Sequence, residues 1–593
     1  MSVMTAQDHR IPPEHAANLT NPAAYADARI HDTYRWLRTY GVRFSPVIEA
    51  SSGQSVPRVH TVDPARSRAT SVAVRGGRIV AVGHDEVREL IGPRTEVVDL
   101  AGKLLLPGFQ DAHVHPMGAG LELGQCHLGD TADAGEYLRR IAAYADEHPD
   151  VEWITGGGWS LEAFPGGSPT AAALDAIVPD RPVFLPNRDH HGAWVNSRAL
   201  ERAGIDARTP DPADGRIERD AAGNPTGMLQ EGAVHLVGRL VPDPTPQEQL
   251  AGLLRAQAVL HSHGVTAWQD AIVGTYANLT DPAPAYLTAL DRGLLTARVV
   301  GALWWDRERG AEQIAELVAR REELSRDRFR AGTVKIMQDG IAENHTAAML
   351  SPYLTGCGCT SDNSGISFVE PGELRKYVTE LDAHGFQVHF HALGDRAVRE
   401  ALDAVESARA ANGNRDTRHH LAHLQMVHPA DLPRFRELGA SANLQMLWAA
   451  HEPQMDELTL PFLGAERGAW QYPFGDLLRA GATLVAGSDW PVSSPDPLQA
   501  IHVAVNRVSP DAPDGTPAFF PEQRLDLGSA IAAYTAGSAH VNHLDDITGS
   551  ITVGKAADLV VLDRDPFAGP PEEIAATRVL TTFVEGRRVH TGA

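Results

Sequence analysis

Cysteine is scarce in this chain. Its 593 residues hold three, Cys126, Cys357 and Cys359, too few for a disulfide framework and in keeping with a reducing compartment. Basic charge is outweighed: 52 Lys and Arg face 76 Asp and Glu, for a net charge of −24. That excludes the basic face a nucleic-acid partner needs and argues against an anionic membrane surface. Long hydrophobic runs are missing too. No stretch reaches the roughly 20 apolar residues of a spanning helix, and the first thirty residues show no apolar segment behind a basic start, so no signal peptide is expected. These absences lead us to expect a cytoplasmic protein with neither nucleic-acid nor membrane partners. Lysine is the rarest charged residue, with only Lys103, Lys335, Lys376 and Lys555 among 48 arginines. Each retained lysine therefore invites a reason.

What is present falls into two textures. "TSVAVRGGRIVAVG" (70–83) alternates apolar and polar residues around Gly76-Gly77 and reads as a β-hairpin. "TEVVDLAGKLLLPG" (95–108) continues the strands, and "GSITVGKAADLVVLD" (549–563) and "VLTTFVEGRRVH" (579–590) read as short strands at the other end. We expect residues 56–104 and 545–593 to build one composite β-sandwich domain, preceded by an irregular arm over 1–55. The middle, 105–544, has another rhythm. Apolar strands at "LLLPGFQDAHVH", 264–271, 297–305, 332–340, 386–395, 418–425, 441–447 and 482–492 are separated in several places by helical stretches such as 311–325, 372–384 and 395–411. Eight such strands in an α/β chain predict a (β/α)8 TIM barrel. A doubly wound sheet is the alternative, but no Gly-rich phosphate loop follows the first strand. The gap between strands one and two, about 150 residues, is too long for a bare loop and predicts an inserted subdomain over about 118–250. Residues 208–226 and 241–247, rich in Pro, Asp and Gly, read as exposed loops.

Chemistry gathers where the strands end. Residues i and i+2 of a strand share a face, so His113 and His115 project together from the C-terminal end of strand one, where such barrels carry their sites. Two imidazoles on one face begin a divalent metal site. Lys335 ends strand four, His389 and His391 end strand five, His419, His420 and His423 lie on strand six, and Asp489 ends strand eight. Lysine suits a metal site because a buried amine can lose its proton and add CO2 to give a carbamate ligand, which arginine cannot do. An ion pair between Lys335 and Asp339 is the plainer alternative. His389, His419 and His420 read as packing or orienting groups. Asp111 is a candidate to hold a ligand imidazole by an outer hydrogen bond. Cys126 reads as an inert buried thiol, and "CGC" (357–359) as a loop.

These stretches, together with "GRIVAVG", "LPGFQDAHVHP", "VNSRAL", "TGMLQEGA", "VKIMQDG", "HALGDRAV", "AHLQMV" and "AGSDWPV" in that order, resemble the metal-dependent amidohydrolase superfamily. The likeness is to a family-3-like subgroup related to N-substituted formamide deformylases, and it covers about 56–593. The resemblance implies a mono- or dinuclear metal centre. Carried over by position, it makes His113, His115, His391 and His423 ligands, Asp489 the acid/base that also ligates, and Lys335 the position of a carboxylated lysine bridging two ions. Zinc suits the imidazole and carboxylate set, although other divalent metals do too.

The resulting expectation is a hydrolase for a non-peptide C–N bond, with hydroxide generated at the metal as nucleophile and Asp489 as general acid/base. His191, in "DHHGAWVNSRAL", is a second candidate catalytic residue. Trp159, Trp194, Trp304, Trp305, Trp448 and Trp490 are candidates to line an aromatic pocket, which would favour an aromatic or apolar N-substituted amide as the small-molecule substrate. A carbamate, lactone or cyclic imide hydrolase, or a decarboxylase, fits the same site, and an idle metal-binding barrel is the non-enzyme alternative. We expect a homodimer.

Overall fold

Eight apolar runs become eight parallel strands of one sheet: β1 (Phe109–Val114), β2 (Val265–Val273), β3 (Arg298–Trp304), β4 (Phe329–Met337), β5 (Gln387–Ala392), β6 (His420–His423), β7 (Ser441–Leu444) and β8 (Thr483–Ala486). The structure, a computed structural model, describes residues 47–49 and 58–592 apart from 130, 132, 277 and 278. The strands follow one another in chain order around the sheet. All six residues of β1 and all six of β5 are buried, the signature of strands covered on both faces. Past the end of β8 the seam is closed by backbone: Asp489 N donates to His113 O (2.8 Å) and His115 N to Trp490 O (2.9 Å). Gly487 permits that closure, since a Cβ there would meet His113 Cβ at 2.6 Å. Together these strands form a near-closed TIM barrel with helices between them, among them Gln313–Leu324, Pro371–Ala383 and Asp395–Asn412.

Between β1 and β2 stands an inserted six-stranded sheet, in the order Gly215–Arg219, Pro225–Glu231, Gly192–Val195, Val183–Pro186, Ile154–Gly157, Cys126–His127. It packs around two apolar cores: one holds Leu128, Ile141, Trp159 and Trp194 and is shared with Ile341, Met349 and Met426 of the barrel loops, and the other holds Phe184, Val195 and Leu229. The stretch 208–226, expected as an exposed loop, differs: Gly215–Arg219 pairs antiparallel with Pro225–Glu231, and the Asp220–Gly223 segment is the turn that joins them. The stretch 241–247, also expected as an exposed loop, stays irregular only to Thr245; the side chains of Thr245 and Glu248 form a capping box, and Pro246 and Gln247 already belong to the helix Pro246–Ser262. That helix leads the chain back into the barrel.

Both chain ends meet in a further pair of sheets. One runs Arg587–Thr591, Val579–Val584, Leu559–Leu562, Leu104–Pro107, Val59–His60, Arg68–Ala69. The other runs Arg78–Gly83, Ser71–Arg75, Val47–Glu49, Val97–Asp99. Val72, Val74, Leu105, Ile551, Leu559 and Phe583 share one core. Within 549–563 only Leu559–Leu562 is a strand; the rest is held by single bonds such as Ile551 N to Thr61 O. The arm over 1–55 lies outside the described residues except Val47–Glu49, which pairs with Ser71–Arg75 and so belongs to a sheet.

Candidate metal and catalytic site

The C-terminal ends of the barrel strands bring six distant side chains to one cavity: His113, His115, Lys335, His391, His423 and Asp489 line it together. His113 Nε2 and His115 Nε2 approach Asp489 Oδ1 at 3.1 and 3.0 Å. One donor atom from each of these three residues lies within 4.8 Å of the other two. His423 Nδ1 stands 3.9 Å from Asp489 Oδ2, and its ring centre is 4.8 Å from that of His113 and 4.5 Å from that of His391. β1 supplies the first histidine; His115 stands just beyond it, immediately before Pro116, whose ring opens the next helix.

Electrostatics leave the histidines as donors. Burial holds His113 down at about 3, with the Lys335 amine adding to the effect. Burial likewise pushes His391 and His423 well below the usual imidazole range. Neutral imidazoles have a lone pair to offer. Burial alone would raise the Asp489 carboxyl, but His113 and the hydrogen bonds from the two histidines hold it well below the carboxylate range. His423 is 2% exposed, and neither of its ring nitrogens has a hydrogen-bond partner among the described residues; His115 Nδ1 also lacks one. A buried polar atom left unpaired costs about 1–3 kcal/mol, so converging orphan nitrogens beside a carboxylate fit a cation.

Lys335 is 3% exposed. Burial lowers its amine to about 7. The expected alternative, an ion pair with Asp339, is not formed. Asp339 instead accepts from His391 Nδ1 (3.2 Å) and from the backbone N–H of Ala348, Leu393 and Gly394. The near neighbour of Lys335 Nζ is His389 Nε2 at 3.5 Å. His389 Nε2 is also 2.9 Å from His113 Nδ1, so His389 lies behind His113. Asp111 makes no hydrogen bond to an imidazole among the described residues. Its carboxylate accepts from the backbone N–H of His113 (3.0 Å) and Ser488 (3.1 Å), tying β1 to the loop after β8.

The backbone is strained at the same place. His423 (φ 79°), Leu424 (φ 48°), Asp489 (φ 57°), His190 (φ 63°) and Glu231 (φ 49°) all occupy the left-handed region, which side chains other than glycine avoid. Local bonds impose it: His423 N donates to Gln445 Oε1 (2.6 Å), and Glu231 N donates to His191 O (2.8 Å). Such strain collects at functional sites.

His191 lines the cavity, its ring centre 5.3 Å from that of His391. Its Nδ1 pairs with Glu231 Oε2 at 3.0 Å. Burial would lower His191, but the Glu231 carboxylate overrides it and raises the imidazole to about 9. Burial would raise Glu231, and His191 brings it instead to about 2. Thr346 Oγ1 (2.6 Å) and Asn344 Nδ2 (3.0 Å) also donate to Glu231. The tryptophans divide. Trp304 lines the cavity; Trp448 and Trp490 line an adjoining chamber. Trp159 and Trp194 are sealed in the insertion core, their indole N–H groups given to Leu185 O and Thr170 O. Trp305 is 1% exposed and packs on Tyr377, 4.8 Å between ring centres. These three do not reach the cavity: their apolar bulk is spent on packing.

The profile of the amidohydrolase family matches residues 96–590. The chain belongs to the amidohydrolase family. It is 32% identical to "Protein LONG AFTER FAR-RED 3" of Arabidopsis thaliana, over 90% of each chain. It is 29% identical to N-substituted formamide deformylase of Arthrobacter pascens, over 89% of this chain and 96% of that one. A metal-dependent hydrolase of Pyrococcus horikoshii has a similar structure, with a TM-score of 0.67 and 25% identity, covering 89% of this chain and 99% of that chain. This amidohydrolase is therefore a metal-dependent hydrolase acting on carbon–nitrogen bonds.

Sequence reasoning overlooked two members of this amidohydrolase site, Glu231 and Glu122, and read a third, Asp339, only as a partner for Lys335. Glu231 fixes His191, Glu122 Oε1 meets His190 Nε2 at 3.0 Å, and Asp339 orients His391. Glu231 and Asp339 stand inside the stretches "TGMLQEGA" and "VKIMQDG", so proximity to a motif was the available signal. Glu122 carries no such mark.

Proposed function

We propose that this amidohydrolase hydrolyses a non-peptide amide whose nitrogen carries an aromatic or apolar substituent. The observation that carries the reading is the convergence of His113, His115 and Asp489, with donor atoms within 4.8 Å, beside the orphan nitrogens of His423. His113, His115, His391, His423 and Asp489 would hold a divalent ion, most simply zinc, with Lys335 as a further ligand if its amine adds CO2. When bound, the ion supplies acidified water near pH 7 and polarises the substrate carbonyl. Asp489 receives the proton of the attacking water and returns it to the departing nitrogen, so the amine leaves neutral. His191, its Nδ1 held by Glu231, keeps Nε2 to donate to the carbonyl oxygen as negative charge grows there. Trp304 and Trp448 shape the walls around the substituents.

The test is elemental analysis of protein purified without added metal, followed by assay on N-benzylformamide and related amides before and after chelation. One or two equivalents of a divalent metal and chelator-sensitive turnover are expected. Asp489→Asn should lower turnover by roughly 100-fold or more. Metal-loaded protein that turns over no amide, ester or carbamate would sink the reading and favour an idle barrel.

A further inference from the structure

The metal cavity adjoins a larger chamber of about 500 Å³. Asp189, Pro491 and Val492 line both, and the Trp448 ring stacks on His423 at 5.4 Å with an interplanar angle of 4°. The chamber wall is acidic. Asp189, Glu343 and Glu452 line it, against Arg188 as its one guanidinium among the described residues. Arg188 Nη2 donates to Gln454 Oε1 (2.9 Å), and neither Glu343 nor Glu452 forms an ion pair among the described residues. Glu343 Oε1 accepts from the neutral Thr459 hydroxyl at 3.1 Å. Burial pushes the Glu343 carboxyl above its ordinary range, and Asp189 adds to it. A carboxylate taken from water without a cation is costly.

A second feature points into the same space. Gln425, two residues past His423, lines the chamber and is 1% exposed. Its amide faces the Glu343 carboxylate and helps to hold that group down, while its Oε1 has no hydrogen-bond partner among the described residues. Buried amide oxygens are ordinarily satisfied, so this one awaits a polar group brought from outside. Arg188 offsets part of the charge on Glu452, which leaves Glu343 as the carboxylate that no cation meets among the described residues; with the aromatic walls and the unpaired amide oxygen it describes the complement of an ammonium on an organic stem.

We propose that this chamber binds the nitrogen-side substituent of the substrate and that its aromatic or apolar stem ends in an ammonium, with Glu343 receiving the charge, Gln425 Oε1 accepting a hydrogen bond and Trp448 covering the stem. The proposal rests on the hydrolase reading for its use of the word substrate, but the chamber can be tested without turnover. Holoenzyme is assayed on N-benzylformamide and on its 4-aminomethyl derivative. The cationic amide should have a kcat/KM at least about tenfold higher, and Glu343→Gln should bring that ratio toward one. Gln425→Met should reduce it as well, which keeps the test open if the first variant does not fold. In parallel, calorimetry compares benzyltrimethylammonium, whose nitrogen has no lone pair for a metal, with its neutral isostere neopentylbenzene. Tighter binding of the cation, lost in Glu343→Gln, supports the chamber even where no amide is turned over; that pattern would defeat only the hydrolase reading. Equal kcat/KM for the two amides together with equal binding of cation and isostere overturns the chamber proposal.

Discussion

Lys335 is the residue at which the chain's preference for arginine most visibly gives way. It is 3% exposed, no carboxylate among the described residues lies within ion-pair distance of its amine, and burial holds that amine at about 7. A guanidinium in its place stays charged at any working pH. Lys335→Arg should therefore reduce both bound metal and turnover, the latter by at least about tenfold, as read by elemental analysis and assay on one sample. Retention of both would assign the lysine a packing role. The cysteines give an independent check on the structure. Cys126 is 2% exposed, and burial raises its thiol to about 12. Cys357 and Cys359 are exposed, Sγ to Sγ 3.0 Å, and hydrogen bonding with Cys359 first and Thr355 next brings the Cys357 thiol down to about 7. Alkylation of native protein should label two thiols, with the Cys357 rate rising through about pH 7. Cys126 should be labelled only after unfolding. Early labelling of Cys126 would contradict the packing of the insertion. At this scale the residues that converge on the cavity were legible because histidine, lysine and aspartate recur at strand ends. The tryptophans were not, since an indole closes a core as readily as a pocket; Trp159 and Trp194 do the former.

The barrel strands were legible element by element, because short segments rich in apolar residues recur between helical stretches, although polar residues such as His113, His389 and His391 interrupt them. The insertion was legible only as a gap. Its outer hairpin is spelled in the Pro, Asp and Gly residues that ordinarily mark loops, and Gly215–Arg219 gains its strand by pairing with Pro225–Glu231, a contact with no local signature. Two predictions belong to this scale. Gly487 lies where the loop after β8 crosses β1, and a Cβ would sit 2.7 Å from His113 N. Gly487→Ala must push β1 and β8 apart, costing about 1–3 kcal/mol and weakening metal retention, as denaturant titration and metal analysis would report. Asp270, at the end of β2, accepts from the Tyr286 hydroxyl at 2.8 Å and from Ile272 N at 3.1 Å. Burial raises it from 3.8 to about 7. Between those values the folded state keeps the proton and the unfolded state does not, so stability is fullest below pH 4 from this group and declines as pH rises toward 7. Asp270→Asn should remove a slope of about 1.4 kcal/mol per pH unit in that window; an unchanged slope would place the charge elsewhere.

Across the whole molecule, the open question is whether the sheets built from the two chain ends are a passenger or part of the barrel's own stability. They pack beneath the end of the barrel opposite the metal site, and one charged cluster fastens them. Arg298, at the start of β3, donates to Asp558 Oδ2 at 2.8 Å and to Glu585 Oε1 at 2.6 Å; Arg328 reaches Glu585 Oε2 at 2.5 Å. Asp558 has a fully buried side chain, while that of Glu585 is 39% exposed. Removing the guanidinium thus leaves one carboxylate stranded in the interior and the other free to meet water. Arg298→Ala should cost about 3–5 kcal/mol, as for other broken buried pairs, and Glu585→Ala about 1 kcal/mol or less. Leu106, Val560 and Leu562 of the terminal sheet share the barrel's main core, so unfolding should remain a single transition displaced to lower denaturant. The folded fraction should keep its activity, because Arg298 stands at the far end of β3 from the strand ends that carry His391 and His423. Two separated transitions in Arg298→Ala, the later one at the wild-type midpoint, would instead make the terminal sheets an independent unit resting on the barrel.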